Sequence, residues 1–229
     1  MKNIQHIFFD LDHTLWDYNR SARETLSEIF DQNGFSSSGI TIKKFVKTFF
    51  EVNDNLWHLY NHGKIDRNHI QQHRFSEVFQ KLGVSTENAQ DASNYYFLNC
   101  STKPYLMPDS ITALRYLEEK KYSLHIITNG FQDSQERKLR NSGISDFFEK
   151  IITSECTGHK KPSEEIFHYS LSETGATLSN SIMIGDNPKT DISGAKNVGM
   201  KSVFYDPSGR KKSLAEYTVQ SHLELIKLF

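Results

Sequence analysis

Two aspartates separated by one residue follow an apolar segment near the start of the chain. Residues 4–9 have the composition of a buried strand, and Asp10 and Asp12 come directly after it. In an extended backbone, side chains two residues apart project to the same side. Two carboxylates held close together raise each other's pKa unless a cation or a proton offsets the repulsion. An acidic turn in which Asp12 caps a helix is the simpler alternative, and it explains only a single aspartate.

Further polar residues come at the ends of later predicted strands or just before predicted helices. In a parallel sheet these positions lie along one edge, where ligands bind. Taken singly, each residue has an ordinary structural explanation, such as strand filling, a solvated turn or a helix cap. Their shared placement favours one common site. The residues are Thr128, Asn129, Lys161, Asp186 and Asp191.

The chemistry of this set is that of a hard cation beside a phosphate. Four carboxylates in one site are costly without a positive charge. Oxygen ligands without histidine or cysteine indicate a hard ion, and Mg²⁺ combines carboxylates, waters and a phosphate oxygen. A lysine, a hydroxyl and backbone N–H groups would hold the rest of the phosphate. The predicted metal residues are Asp10, Asp12, Asp186 and Asp191, and the predicted phosphate contacts are Thr128, Asn129 and Lys161.

Short apolar strands and helices alternate in the second half of the chain, which predicts an α/β fold with a doubly wound, Rossmann-like parallel sheet. Strands are expected near 123–128, 151–153, 181–185 and 201–205. A long helical stretch separates the first strand from the others. We therefore expect a core domain of residues 1–15 and 103–229 and a helical domain of residues 16–102.

The inserted stretch reads as four consecutive amphipathic helices, which predicts a small bundle. Polar residues that favour N-caps precede each apolar pattern, and they set the expected helix starts. These candidates are Ser21 for the first helix, Thr41 for the second, Asp66 for the third, and Ser85 or Thr86 for the fourth. Ser163 and Ser221 are the corresponding candidates for two helices of the core.

Composition excludes several classes of protein. The chain has 229 residues, 37% of them hydrophobic and 24% charged, and its net charge is −1. This near-neutral charge argues against a nucleic acid partner. Cys100 and Cys156 lie far apart in the sequence, which favours a reducing compartment over a disulfide framework. No apolar run reaches membrane-spanning length, and no signal-peptide core follows the first residues, so we expect a cytoplasmic location without a membrane partner.

The four motifs together resemble the haloacid dehalogenase-like (HAD) superfamily of phosphohydrolases. They are Asp10-Leu11-Asp12-His13-Thr14, Thr128-Asn129, Lys161-Pro162, and Gly185-Asp186 with Asp191. Their order matches that of the superfamily over the whole core, and the helical insert resembles its C1-type cap domain. The resemblance therefore covers essentially the entire chain.

The resemblance implies a role for each motif residue. Asp10 would be the nucleophile that forms an aspartyl-phosphate, and Asp12 the general acid and then the base, with its backbone carbonyl on Mg²⁺. Thr128, Lys161 and the backbone N–H of Asn129 would bind phosphate. Asp186 would bind the metal directly, and Asp191 directly or through water. The C–Cl dehalogenases of the superfamily lack an acid at the position of Asp12, because chloride leaves without a proton, so the resemblance implies a phosphatase.

The insert also resembles the cap of bacterial pyrimidine 5′-nucleotidases, through Val52–Trp57, Tyr60, Gly63–Ile65 and Gln72–Phe75. This implies a nucleoside monophosphate substrate, with Trp57 and Tyr60 for base stacking and His62 and Lys64 for its polar edges. The ordinary alternative is that the aromatic residues pack the bundle and the other two lie in a solvated turn. A phosphatase for a sugar phosphate or phosphoglycolate, a phosphomutase, and a catalytically silent binding protein are the alternative functions.

Overall fold

The computed structural model describes Met1 and residues 3–229. Six strands form one parallel sheet in the order β3-β2-β1-β4-β5-β6. Helices cover both faces, and the first, second, fourth and fifth strands along the chain are almost completely buried, as expected for parallel strands between helical layers. The doubly wound α/β prediction is confirmed. The strands are β1 (His6–Phe9), β2 (Ser123–Thr128), β3 (Lys150–Thr153), β4 (Ser181–Gly185), β5 (Lys201–Tyr205) and β6 (Tyr217–Val219).

The helices separate into an inserted group and a group that alternates with the strands. The inserted group is α1 (Tyr18–Gln32), α2 (Ile42–Asn61), α3 (Arg67–Leu82) and α4 (Ala89–Cys100). The sheet helices are α5 (Ser110–Glu119), α6 (Gln132–Asn141), α7 (Ser154–Thr157), α8 (Glu164–Thr174), α9 (Ser193–Asn197) and α10 (His222–Leu228). A π-helical turn, Pro188–Ile192, precedes α9.

Ser163 and Ser221 occupy the N-cap positions of α8 and α10 as expected, without a side-chain hydrogen bond to the helix. Of the four caps expected for the inserted helices, two are confirmed and two are wrong. Thr41 accepts a hydrogen bond from the backbone N–H of Lys44, and Asp66 accepts one from that of His69. The first helix begins at Tyr18, so Ser21 is a buried residue inside it and not its cap. The fourth begins at Ala89, a few residues beyond Ser85 and Thr86.

The chain divides into two compact units, one formed by Met1–Tyr18 and Pro104–Phe229 and the other by Asn19–Lys103. The second unit has an aromatic core in which Phe49 contacts Phe75 and Tyr96. In the first unit, Phe8 and Met183 of the sheet pack against Phe167 and other buried residues of α8 and α9. Within the described residues, no helix has the length and apolar character needed to cross a bilayer.

Candidate active site

The site lies where three central strands end. β1 pairs with β2 on one side and β4 on the other, so the residues that follow them share one edge of the sheet. Asp10 is fixed immediately after β1, because its backbone N–H donates to the carbonyl oxygen of Ile184 at 2.9 Å. Thr128 ends β2 and Asp186 follows β4. The sheet thus brings Asp10 together with residues that are more than 100 positions away in sequence.

Lys161 is the positive centre of this edge. Its side chain is almost fully buried, and its ammonium lies 2.7 Å from Asp10 Oδ1 and 2.7 Å from Asp191 Oδ1. It also donates to the carbonyl oxygen of Ile127 at 2.7 Å. Three acceptors therefore use the three N–H bonds of the ammonium. Lys161 thus lies beside two of the predicted carboxylates, and its role in phosphate binding stays a prediction.

Asn129 holds the backbone that carries this lysine. Its side-chain amide donates to the carbonyl oxygen of Lys161 at 2.9 Å and accepts from the backbone N–H of Lys161 at 2.7 Å. This reciprocal pair joins the end of β2 to the loop before α8. The side chain of Asn129 is thus used for positioning, a contribution that the sequence did not indicate.

Three carboxylates form a compact acidic group. One oxygen from each of Asp10, Asp186 and Asp191 lies within 4.8 Å of the others. Two oxygens bound to the same Mg²⁺ lie at most about 4.2 Å apart, which is twice the usual metal–oxygen distance. The spacing of the three carboxylate oxygens is therefore close to that of ligands that share one cation. Asp191 is further fixed by the backbone N–H of Asn187, which donates to Oδ2 at 3.0 Å, and by the hydroxyl of Thr190. The oxygen-only donor set fits a hard divalent ion.

Burial dominates the electrostatics of the group. It raises the pKa of Asp10 well above its usual value, with Lys161 opposing and the carboxylates of Asp191 and Asp186 adding to the increase. Burial also raises the pKa of Asp186 to about 6, again with help from Asp191. For Lys161, burial alone would lower the pKa, but the neighbouring carboxylates raise it to about 12. The lysine therefore stays charged, and a further cation would favour ionised carboxylates.

The side chain of Asp12 lies outside the three-carboxylate group, in contrast to the four-carboxylate cluster inferred from the sequence. Its oxygens accept from Lys138 Nζ at 2.7 and 2.8 Å and from Gln135 Nε2 at 3.1 Å. Side chains two residues apart project to the same side only in extended backbone, and β1 ends at Phe9. Asp12 lies instead in a turn stabilised by Leu15 N–H and Trp16 N–H, which both donate to the carbonyl oxygen of Leu11.

Gln135 and Lys138 are buried residues of α6, and the sequence analysis did not identify them as candidate site residues. Gln135 Nε2 donates to Thr128 Oγ1 at 2.6 Å, and Lys138 Nζ donates to Gln135 Oε1 at 2.7 Å. A signal was present, because α6 has one apolar residue, Leu139. Gln135 lies four positions before Leu139, so it shares the helix face that packs inward. Polar residues at these inward positions indicate a buried polar network.

A second missed contact comes from the loop after β5. Asp206 accepts hydrogen bonds from the backbone N–H groups of Ser208 and Lys211, which closes a tight turn. The Lys211 ammonium then lies 3.7 Å from Asp186 Oδ2 and donates to the Asp186 carbonyl oxygen at 3.3 Å. Because half of the Lys211 side chain is exposed, this ion pair is weaker than that of Lys161.

The four predicted specificity residues lie at the end of α2 and in the turn that follows it. Trp57 and Tyr60 contact each other edge-to-face, with ring centroids 5.3 Å apart. Tyr60 is buried and Trp57 is half-buried, whereas His62 and Lys64 are exposed. His62 Nδ1 donates to the His58 carbonyl oxygen at 2.8 Å. The partly accessible aromatic surface here is therefore that of Trp57.

Curated relatives align with nearly the whole chain. Pyrimidine 5′-nucleotidase YjjG of Escherichia coli K12 is 29% identical over 227 residues, which cover 97% of this chain and 96% of the relative. Glyceraldehyde 3-phosphate phosphatase of Pyrococcus abyssi is 30% identical over 211 residues, which cover 88% of this chain and 81% of the relative. Enzymes named for two different phosphate esters are thus similar to this chain to nearly the same degree.

The fold is shared with a magnesium-bound crystal structure of HAD-hydrolase YfnB from Bacillus subtilis. That structure superposes with a TM-score of 0.89 over 99% of this chain and 98% of the other, at 24% sequence identity. The family model for haloacid dehalogenase-like hydrolases matches residues 4–199. This match includes all four motifs and most of the chain, so the protein belongs to the haloacid dehalogenase-like hydrolase family.

Proposed function

We propose that the protein is a Mg²⁺-dependent phosphomonoester hydrolase that works through an aspartyl-phosphate on Asp10. The observation that supports this most strongly is the position of Lys161, whose ammonium lies between Asp10 and Asp191 at 2.7 Å from each. A carboxylate nucleophile approaching a phosphate dianion needs positive charge on both sides. Lys161 supplies one such charge. A metal at the Asp10, Asp186 and Asp191 oxygens would supply the other.

In the first step, an oxygen of Asp10 attacks phosphorus and the bond from phosphorus to the ester oxygen breaks. The Thr128 hydroxyl donates to one non-bridging oxygen. The Lys161 ammonium exchanges its hydrogen bond to Asp10 for one to a second non-bridging oxygen, because the attacking Asp10 oxygen gives up its negative charge. The departing oxygen takes a proton from Asp12, which acts as general acid. The products are the alcohol, the mixed anhydride on Asp10, and Asp12 as a carboxylate.

In the second step, Asp12 accepts a proton from water as the water oxygen attacks phosphorus. The bond between phosphorus and the Asp10 oxygen breaks, which releases inorganic phosphate and regenerates both aspartates. Mg²⁺, held by Asp10, Asp186, Asp191 and the Asp12 backbone carbonyl, would neutralise the charge on the phosphoryl oxygens and orient them.

The test compares the wild-type protein with Asp10→Asn on an aryl phosphate. Wild-type turnover should require Mg²⁺ and stop in excess chelator. A hydroxylamine-sensitive acyl-phosphate should be trapped from wild type and be missing from Asp10→Asn. Lys150→Met is a matched control, because Lys150 forms an exposed ion pair with Glu173 at 3.5 Å, on the surface of the first unit. Full turnover in chelator, or an unchanged acyl-phosphate yield in Asp10→Asn, contradicts the mechanism.

For the substrate, we propose the 5′-phosphate of pyrimidine nucleoside monophosphates. The core residues address only phosphate and metal, so the leaving group must be chosen by other residues, and we assign this to the helical unit. The half-buried ring of Trp57 offers a face for a flat base, and His62 and Lys64 offer donors for its polar edges. Similarity to a pyrimidine 5′-nucleotidase over 97% of the chain supports the proposal.

The competing substrate is a sugar or triose phosphate, which the Pyrococcus relative at 30% identity favours. The discriminating experiment measures kcat/KM for uridine and thymidine monophosphates, a hexose phosphate, glyceraldehyde 3-phosphate and phosphoglycolate. The pyrimidine nucleotides should lead by about tenfold or more, which corresponds to about 1.4 kcal/mol of differential transition-state binding. Trp57→Ala should remove most of this preference and leave the hydrolysis of phosphoglycolate, which has no ring to stack on Trp57, near the wild-type rate. A lead for a sugar phosphate contradicts the nucleotidase proposal and leaves the phosphatase proposal standing.

A phosphomutase and a silent binding protein are tested in the same assays. A phosphomutase would transfer the phosphoryl group from a sugar bisphosphate to a sugar phosphate faster than to water. A silent protein would bind phosphate without turnover. The presence of both Asp10 and Asp12 favours catalysis over silent binding.

A further inference from the structure

Gln135 connects two residues that act in different parts of the proposed reaction. Its Nε2 donates to Thr128 Oγ1 at 2.6 Å and to Asp12 Oδ2 at 3.1 Å, which uses both hydrogens of the amide nitrogen. Its Oε1 accepts from Lys138 Nζ at 2.7 Å. These partners also settle the orientation of the amide, because the opposite orientation would place its oxygen against the Asp12 carboxylate. Every polar atom of the Gln135 side chain is therefore in use.

The consequence for Thr128 is a fixed hydrogen-bonding direction. A threonine hydroxyl has two lone pairs and one hydrogen. One lone pair accepts from Gln135 and the other from the backbone N–H of Gly130 at 3.1 Å. Only the O–H hydrogen remains, so Thr128 can act toward a ligand only as a donor. This suits a phosphate oxygen, which has no hydrogen to give when the phosphate is a dianion.

The consequence for Asp12 is a fixed side-chain position. The Lys138 ammonium bridges both carboxylate oxygens at 2.7 and 2.8 Å, and it also lies 4.7 Å from the centroid of the Trp16 ring. Lys138 is buried and rests against an aromatic face, so it cannot follow Asp12 freely. An acid that must protonate one particular oxygen depends on such placement.

Gly130 supplies independent support for the position of Gln135. A Cβ atom at residue 130 would lie 2.4 Å from Gln135 Nε2 and 2.5 Å from its Cδ. The glutamine side chain therefore lies directly over the backbone of Gly130, and the absence of a side chain there makes room for it. The position of Gln135 in the network thus requires a glycine at residue 130.

We propose that Gln135 and Lys138 are positioning residues, which hold Thr128 as a phosphate donor and Asp12 as the acid and base. The proposal rests on the proposed phosphatase function and assigns it two residues outside the four motifs. Gln135 is the residue through which phosphate binding and proton transfer are coupled. Lys138 sets the position of the Asp12 carboxylate.

The first test measures binding of inorganic phosphate by calorimetry in the presence of Mg²⁺, which needs no turnover. In Gln135→Glu the new carboxylate would accept a hydrogen bond from the Thr128 hydroxyl, so this O–H group would no longer donate to phosphate. We expect phosphate affinity to fall by about 10- to 100-fold, the worth of one hydrogen bond to a charged group. Gln135→Ala should cause a smaller loss, because it frees the hydroxyl without redirecting it. Gln132→Ala, at the start of the same helix, should bind phosphate as wild type does.

The second test separates positioning of Asp12 from a structural role. Lys138→Met should lower kcat more for an alkyl phosphate than for nitrophenyl phosphate, because only the poor leaving group needs the Asp12 proton. Lys138→Arg keeps the charge and should restore the wild-type ratio of the two rates. Arg140→Met, an exposed residue of the same helix, is the control. Thermal unfolding of each variant excludes misfolding as the cause.

The outcomes distinguish this proposal from the proposed function. Suppose that wild type hydrolyses both esters, and that all four variants at residues 135 and 138 have the wild-type phosphate affinity and the wild-type ratio of alkyl to aryl rates. The positioning proposal is then wrong, and the phosphatase proposal stands. If wild type binds phosphate without hydrolysing any ester, the phosphatase proposal is wrong, and the affinity of Gln135→Glu still decides the role of Gln135. Equal losses for alkyl and aryl esters in Lys138→Met overturn the role assigned to Lys138.

Discussion

A Cβ atom on Gly185 would lie 2.3 Å from Asp191 Oδ2 and 2.5 Å from its Cγ. The end of β4 and the side chain of Asp191 therefore occupy adjoining space with no room for a methyl group. Asp191 is almost fully buried and joins Asp10 and Asp186 in the acidic group. The glycine before Asp186 thus allows the third carboxylate to reach the site.

Gly185→Ala should displace Asp191 and weaken Mg²⁺ binding. We expect the Mg²⁺ dissociation constant to rise by at least about tenfold, or about 1.4 kcal/mol, measured by calorimetry. Gly143→Ala is the control, because a Cβ atom there meets open space, although its φ of +70° makes the substitution strained. It should lower the melting temperature slightly without changing Mg²⁺ affinity. Wild-type Mg²⁺ affinity in Gly185→Ala would show that Asp191 does not contribute to the metal site.

Lys161→Met should destabilise the protein in the presence of chelator, because it leaves buried carboxylates without a cation. Breaking a buried ion pair in this way typically costs about 3–5 kcal/mol. The free energy of unfolding is measured by urea denaturation. Lys150→Met should change it by less than about 1 kcal/mol, since its pair with Glu173 is exposed. Similar effects of the two substitutions would contradict the central role of the buried ammonium.

Asp12→Asn should slow the hydrolysis of alkyl phosphates by about 10²–10⁴-fold, the usual worth of acid–base catalysis. The loss should be smaller for nitrophenyl phosphate, whose leaving group needs no proton. Mg²⁺ affinity should stay near the wild-type value, because the Asp12 carboxylate lies outside the three-carboxylate group. Steady-state rates with both esters and a Mg²⁺ titration check these expectations. A large loss of Mg²⁺ affinity would place the Asp12 side chain in the metal site.

Two buried histidines should make the fold less stable in mild acid. Burial lowers the pKa of His125 and of His222 to about 4, from about 6.5 in an unfolded chain. As the pH falls, the histidines of the unfolded chain take up protons before those of the folded protein do. The stability that the neutral histidines contribute is therefore complete above a pH of about 6.5 and is lost as the pH falls toward 4. For His222, which donates Nδ1–H to the Pro108 carbonyl oxygen at 2.9 Å, the full loss is of order 3 kcal/mol.

The measurement is urea denaturation in chelator at pH 7.5 and pH 5. His222→Phe should show a smaller loss of stability between these two values than wild type, whatever its stability at pH 7.5. His58→Phe, at an exposed position of α2, should show the wild-type loss. Other titrating groups, including Asp10 and Asp186, act equally in all three proteins and cancel in the comparison. Equal pH dependence in wild type and His222→Phe would contradict a neutral buried His222.

The sequence by itself determined the alternation of strands and helices and the residues at the strand ends. Strands β2, β4 and β5 begin and end as the apolar runs indicate, because a buried parallel strand needs a continuous apolar segment. Lys161 and Asp186 were predicted because parallel strands place the residues that follow them at one edge. β6 was not predicted, because its three residues are too few to show a hydrophobic pattern. The start of α1 at Tyr18 was missed because Ser21 was taken as the cap, although Asp17, directly before Tyr18, is also a residue type that favours N-caps.

Only the tertiary structure decided which polar groups meet. Lys161 contacts Asp10 from 151 positions away, and Lys138 contacts Asp12 from 126 positions away. Side-chain periodicity describes neighbours within one element and carries no information on such distances. The turn after Phe9 directs Asp12 toward α6 and away from the acidic group. The separation of the Asp12 carboxylate from the three-carboxylate group therefore comes from how β1 ends beside α6, which no local pattern specifies.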